Sequence, residues 1–145
     1  MATDPKYLRE FACFRGLSEN QLNAIAEISS AVCYPAGYEL FKDGSPGDRL
    51  YFLLKGQVEV FYEIGEAGQV RVDVVTGEEI VGCSTLVDPY VYNATERCLT
   101  DIEVIEIDAE ALRKMMREDY SLGFAIQEQL IKVLLDRIVN FRLES

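Results

Sequence analysis

The 145-residue chain has no histidine. That removes the commonest general base and the commonest metal ligand, and most enzymatic readings lose their central residue with it; the expectation is a protein that is not an enzyme. Basic residues are also scarce, 14 against 25 acidic ones for a formal charge of −11, and they are scattered along the chain. Neutralising a phosphate backbone requires clustered lysine and arginine, so no direct nucleic-acid partner is expected. No apolar run approaches the ~20 residues that span a bilayer, and the N-terminal stretch lacks a basic start followed by an apolar block. We therefore expect no membrane partner and a cytoplasmic location. The four cysteines, Cys13, Cys33, Cys83 and Cys98, form no C-x-x-C pair and are read as free thiols. An iron–sulfur or haem centre would need clustered cysteines or a histidine, so no metal and no cofactor is expected.

The sequence does have the makings of a core: 49% of it is apolar and 27% charged, the profile of one globular domain over 1–145. Near the start, "GLSENQLNAIAEIS" carries a helix signal, with Ser18 as N-cap, Gln21 three residues on, and Leu22, Ile25 and Ile28 at helical spacing. Residues 5–30 are assigned to a helical segment. From 31 to 107 the pattern becomes short β-rich runs between turns, "AVCYP", "YELFKD", "RLYFLLKG", "QVEVFYEIG", "VRVDVVTG", "ATERCLT" and "IEVIEID". Their even spacing predicts an antiparallel β-roll, or jelly roll. The fold class is thus mainly β with flanking helices.

Two turns have specific demands. "SPGD" predicts a type II turn, with Pro46 at φ near −65° and Gly47 at positive φ. Leu54-Lys55-Gly56-Gln57 is read as the turn of a hairpin, and along the following strand Val58, Val60, Tyr62 and Ile64 share one face.

Over 108–142 the period is helical again. Asp108 caps "AEALRKMM", and a long helix starts near Ser121 and runs to about Phe141. At 100° per residue, Ile126, Leu130, Val133, Leu134, Ile138 and Phe141 form one stripe, and Ile131, Leu135 and Val139 widen it by roughly a third of a turn. The width has two explanations: a helix wedged against its own β-domain, or one that also meets a second copy of the chain through Ile131, Leu135 and Val139. The second makes a homodimer.

The element order, together with "PAGYELFKDGSPGDRLYFLLKGQVEVF", resembles the cyclic-nucleotide-binding domain family, the sensor module of catabolite-activator-type regulators, kinase regulatory subunits and gated channels. The residues that carry the resemblance are Gly37, Phe41, Gly44, Gly47-Asp48, Leu50-Tyr51-Phe52, Gly56, Val58 and Val60, followed by Gly77, Thr100-Asp101 and "IEVIEID". It covers about residues 10–140 and implies the β-roll fold and a regulatory role.

In that family a cassette of the form F-G-E-x-A-L, with P-R-x-A several residues later, wraps the cyclic phosphate. Laid on "EEIVGCSTLVDPYVYNATE" without a gap, it implies a ligand site at Gly82, Cys83, Ser84, Thr85, Tyr92, Asn93 and Ala94. The register fits, but the chemistry differs. Cys83 stands where the family's glutamate meets the ribose, and Tyr92 stands where its arginine meets the phosphate. Two lost charge-assisted hydrogen bonds at ~1.5–3 kcal/mol each weaken a cyclic nucleotide by roughly two to four powers of ten. Backbone N–H groups around Ser84 and Thr85 would still face an anion, and Cys83→Glu with Tyr92→Arg is expected to restore binding. Arg97 falls on the opposite side of its strand by parity, and Arg49 or Arg71 could replace the arginine only through the tertiary fold, so no substitute is expected. Cys83 is read as a small buried filler rather than a reactive thiol, and Tyr90 and Tyr92 as rings that plug the site or fit it to a changed ligand.

Two functions follow. One is a regulatory sensor-type domain with weak or altered nucleotide binding that signals to a partner protein. The other is a ligand-free interaction or scaffold module. Transcription factors of the family carry a helix-turn-helix domain after the long helix; none is expected here. An open, polar-rimmed pocket favours the first reading and a filled one the second.

Overall fold

The computed structural model describes residues 4–144, so residues 1–3 and 145 of the expected 1–145 span lie outside the described residues. Two short helices, α1 (Pro5–Leu8) and α2 (Glu19–Glu27), lead into eight strands: β1 (Ser29–Tyr34), β2 (Glu39–Phe41), β3 (Arg49–Lys55), β4 (Gln57–Ile64), β5 (Gly68–Thr76), β6 (Ile80–Val81), β7 (Thr95–Cys98) and β8 (Ile102–Asp108). Helices α3 (Ala109–Glu118) and α4 (Tyr120–Glu144) follow. The strands form two antiparallel sheets, in the orders β1-β8-β3-β6 and β2-β7-β4-β5, which face each other as a jelly roll.

Strand β3 shows why one sheet is covered on both faces, by helices on one side and the second sheet on the other. Its run Leu50–Leu53 is buried on both sides. Leu50 and Phe52 point to the helices, where Phe11 and Phe14 pack on Phe52 at centroid distances of 4.5 and 5.0 Å, while Tyr51 and Leu53 point between the sheets. Strand β8 repeats the pattern, with Ile105 and Ile107 on the helix side and Ile102 and Val104 inside. Period-2 alternation therefore separates two cores, one under the helices and one between the sheets.

Helix α2 begins with the expected capping box, Ser18 Oγ accepting from the Gln21 N–H at 3.1 Å and Gln21 Oε1 accepting from the Ser18 N–H at 2.9 Å. The helical segment ends sooner than 30, because Ser29 pairs with Ile107 and starts β1 while its hydroxyl donates to the Ile25 carbonyl. Asp108 caps α3 through the Ala111 N–H.

Two turn expectations are overturned. Strands β3 and β4 are consecutive but belong to different sheets, so Gly56 is a corner rather than a hairpin turn. Its φ is +97°, and a Cβ there would strike the Asp101 carbonyl oxygen and Thr100 Oγ1. Gly47 is not at positive φ. It is small because the chain is crowded: a Cβ would lie 2.7 Å from both Thr85 Cγ2 and the Tyr90 carbonyl oxygen, and the Gly47 N–H donates to that same oxygen. The predicted face of β4 runs inward at buried Val58 and half-buried Val60 and then emerges at the exposed Tyr62 and Ile64.

Helix α4 is apolar on two opposite faces. Leu122, Ile126 and Leu130 are buried in the helix-side core, whereas Ile131, Leu135 and Val139 are 58%, 56% and 50% exposed. The wider arc is not covered by the chain's own β-domain. No helix among the described residues is long and apolar enough to cross a membrane.

Candidate functional site

The segment aligned with the cassette joins β6 to β7. Gly82 turns in the left-handed region, φ +84°, and residues Cys83–Leu86 follow as one 3-10 turn. Thr85 is wholly buried, and its N–H and hydroxyl both donate to the Gly82 carbonyl at 3.1 and 2.8 Å. Its own carbonyl accepts from Arg113 of α3 at 2.8 Å, and the same guanidinium donates to the Gly47 carbonyl and lies 4.6 Å over the Tyr90 ring. Helix α3 thus clamps the cassette from behind. The Thr85 amide is consumed inside the turn and does not face an incoming anion, contrary to expectation.

Tyr92 is also turned away. Its ring lies on Phe41 at 3.8 Å and 7° from parallel, and its hydroxyl donates to the Arg49 carbonyl at 2.7 Å and accepts from the Arg49 N–H at 3.0 Å. Tyr92 is core, and Tyr90 lies against Arg113. Neither plugs the site.

What remains is an open cavity of about 460 Å³, inside the roughly 300–1,000 Å³ typical of small-molecule sites. The structure brings five of the seven predicted cassette residues to its wall: Gly82, Cys83, Ser84, Asn93 and Ala94. Phe41, Val60, Tyr62, Val75 and Ile80 line it from the roll, and Leu134, Arg137 and Phe141 from α4. Cys83 is half-buried among these groups, and burial holds its thiol above the usual range against the pull of Arg137, which supports the filler reading.

Arg49 pairs with Glu106, Arg71 with Glu59, and Arg97 with Glu39, so none of the three arginines weighed from sequence supplies the missing cation. The arginine that lines the cavity is Arg137, which donates to the Ile80 carbonyl at 3.0 Å and to Glu79 at 3.4 Å. Opposite it stands Glu96 of β7, only 8% exposed, whose Oε1 has no hydrogen-bond partner among the described residues. Burial pushes the Glu96 carboxyl up to about 8, with Arg137 opposing and Asp73 adding to the shift.

Both residues had a sequence signal. Arg137 lies seven and three residues after Leu130 and Leu134, a cation inside an apolar stripe. Glu96 shares strand parity with Ala94, so the argument that sends Arg97 outward sends Glu96 inward.

Residues 31–119 match the cyclic nucleotide-binding domain family, and the chain belongs to it. It is 25% identical over 125 residues to a CRP-like cAMP-activated global transcriptional regulator of Mycobacterium tuberculosis, a match that covers 86% of this chain and 54% of the regulator. The chain therefore spans about half the length of that curated relative. Among solved structures, a Geobacter metallireducens protein classed as cyclic nucleotide-binding superposes with a TM-score of 0.85 at 32% identity, covering 94% of this chain and 98% of that one. The N-terminal domain of a Streptomyces coelicolor transcriptional regulator superposes with a TM-score of 0.71 at 26% identity, covering 97% and 95%. The fold is that of a regulatory cyclic nucleotide-binding domain, related to catabolite-activator-type regulators and to kinase regulatory subunits.

Proposed function

We propose that the chain is a regulatory sensor-type domain that holds cyclic AMP and cyclic GMP weakly or not at all and signals the state of its cavity to a partner protein. One observation carries the reading: the cavity is open, yet its cassette offers Cys83 and an averted Tyr92 in place of the family's acid and arginine. An open cavity favours sensing over a ligand-free scaffold. Any occupant touches α4 directly, because Leu134, Arg137 and Phe141 form one wall. The outer face of the same helix, with Ile131, Leu135 and Val139 exposed, supplies the contact surface, and a second copy of the chain is the partner we favour. Unpaired thiols at Cys13, Cys33, Cys83 and Cys98 suit a reducing, cytoplasmic setting.

Isothermal titration of purified protein with cyclic AMP and cyclic GMP tests the ligand side of the reading. The expected result is no saturable heat at micromolar nucleotide; low-micromolar affinity for either one overturns it.

A further inference from the structure

The group in this cavity that its surroundings do not explain is Glu96. A carboxyl buried without a hydrogen-bond partner is costly, and native proteins leave few of them. The register of the sheet puts it at the floor of the cavity: Glu96 pairs with Phe41 on one side and Val60 on the other, and both neighbours line the same space.

The surrounding charges favour one sign of ligand. Asp73 of β5 also lines the cavity. The single basic group on the wall, Arg137, is engaged by Glu79 and by the Ile80 carbonyl. Cys83, Ser84, Asn93 and Tyr62 are the neutral polar groups on the wall. An entering anion meets the Asp73 carboxylate, a Glu96 that must stay protonated beside it, and a guanidinium already committed elsewhere. An entering cation meets an acceptor with nothing bound to it, and a charge-assisted hydrogen bond there would satisfy the buried oxygen. The remaining walls, including the Phe41 and Phe141 rings, are apolar and suit a flat body.

We propose that this cavity takes a cationic hydrogen-bond donor, an amidinium, guanidinium or ammonium group on a flat apolar body, with the charged end seated on Glu96. The assignment rests on reading the cavity as a sensing site and names the class of ligand it senses. Binding moves one proton: a Glu96 carboxyl that is protonated in the empty site gives its proton to the buffer as the cation arrives, and no bond to carbon changes. Glu96 is the recognition residue, and Arg137 lines the same cavity while tied to Glu79 and the Ile80 carbonyl.

Benzamidine, benzamide and benzoate share one shape and differ in charge, so titration calorimetry with the three at neutral pH tests the sign directly. Benzamidine should bind at least roughly tenfold more tightly than benzamide, benzoate should not bind, and Glu96→Gln should abolish the preference for the cation. Repeating the benzamidine titration in buffers of different ionisation enthalpy should reveal proton release by the unaltered protein, a readout that needs no variant. Benzoate binding as well as benzamidine, no benzamidine binding, or binding without proton release overturns the assignment. So does a folded Glu96→Gln protein that keeps the preference. Cyclic AMP and cyclic GMP run alongside separate the two readings. If they stay weak while benzamidine fails, only the cationic class is lost; tight cyclic nucleotide binding removes the altered-site reading itself.

Discussion

The ring of Tyr92 stacks on Phe41 with 3.8 Å between centroids, and its hydroxyl closes two hydrogen bonds to the backbone of Arg49. A residue in the family's arginine position has become a brace between the cassette and the start of β3. Tyr92→Phe removes both bonds and leaves a part-buried N–H and C=O without that partner, so it should lower unfolding free energy by ~1–3 kcal/mol in denaturant titrations. Tyr92→Arg should do worse, because it drives an unpaired charge into the inter-sheet core. The pair Cys83→Glu and Tyr92→Arg, which the cassette alignment suggests as a repair, is accordingly expected to give a destabilised protein rather than a nucleotide binder. Thermal melts and nucleotide titrations of the pair check this, and a stable variant that binds cyclic AMP would refute it.

Glu96 should make stability fall as pH rises. Its carboxyl titrates near 4.5 when free and about 8 in the fold, so the native state binds the extra proton between those values and stability is lost across that window. The groups facing it are Asp73 on β5, Arg137 on α4, Cys83 in the cassette and Tyr62 on β4. Glu96→Gln should flatten this slope and stabilise the protein by roughly 2–4 kcal/mol more at pH 9 than at pH 4. Denaturant titrations across the range measure it, and parallel slopes for the two proteins would refute it.

Leu135→Glu places a charge at the middle of the exposed α4 face. If that face joins two copies, sedimentation should show the unaltered chain as a dimer and the variant as a folded monomer with a lower melting temperature. A monomeric unaltered protein at high concentration excludes the dimer.

Gly56→Ala should cost ~2–5 kcal/mol, since alanine is strained at φ +97° and its Cβ meets the Asp101 carbonyl and Ile102. A neutral effect in chemical denaturation would mean that the corner between the sheets yields easily.

The β-roll was legible because its strands alternate and because the glycines at its corners stand in a recognisable order. The partnering of β3 with β4 was not. Lys55-Gly56 looks like a hairpin turn, and whether two consecutive strands pair or diverge into opposite sheets is decided by distant neighbours, here β8 and β7. The cassette register was legible too, but the direction of its side chains was not. Tyr92 faces inward to Phe41 rather than into the cavity, through a contact across 51 residues that no local pattern encodes, and Thr85 is folded back on Gly82 by hydrogen bonds within the turn. Arg137 reaches the site from 55 residues beyond Gly82, and only the fold closes that distance.

Gln21 has a consequence for the long helix. Its side-chain amide donates to Asp119 and to the Ser121 hydroxyl, both at 3.1 Å, and Asp119 in turn accepts from the Leu122 N–H. The root of α4 is pinned there, and Gly123 sits so close to α3 that a Cβ would lie 2.8 Å from the Met116 carbonyl oxygen. Past Leu130 most side chains of the helix are exposed, with Val133 against the helix-side core and Arg137 tied to the Ile80 carbonyl. A helix held at residues 119–123 would move furthest at its other end. At 1.5 Å of rise per residue, a tilt of about 10° at Gly123 carries Phe141 through ~5 Å. The cavity wall formed by Leu134, Arg137 and Phe141 lies towards that end. A ligand pushing there works at the end where a small force turns the helix furthest.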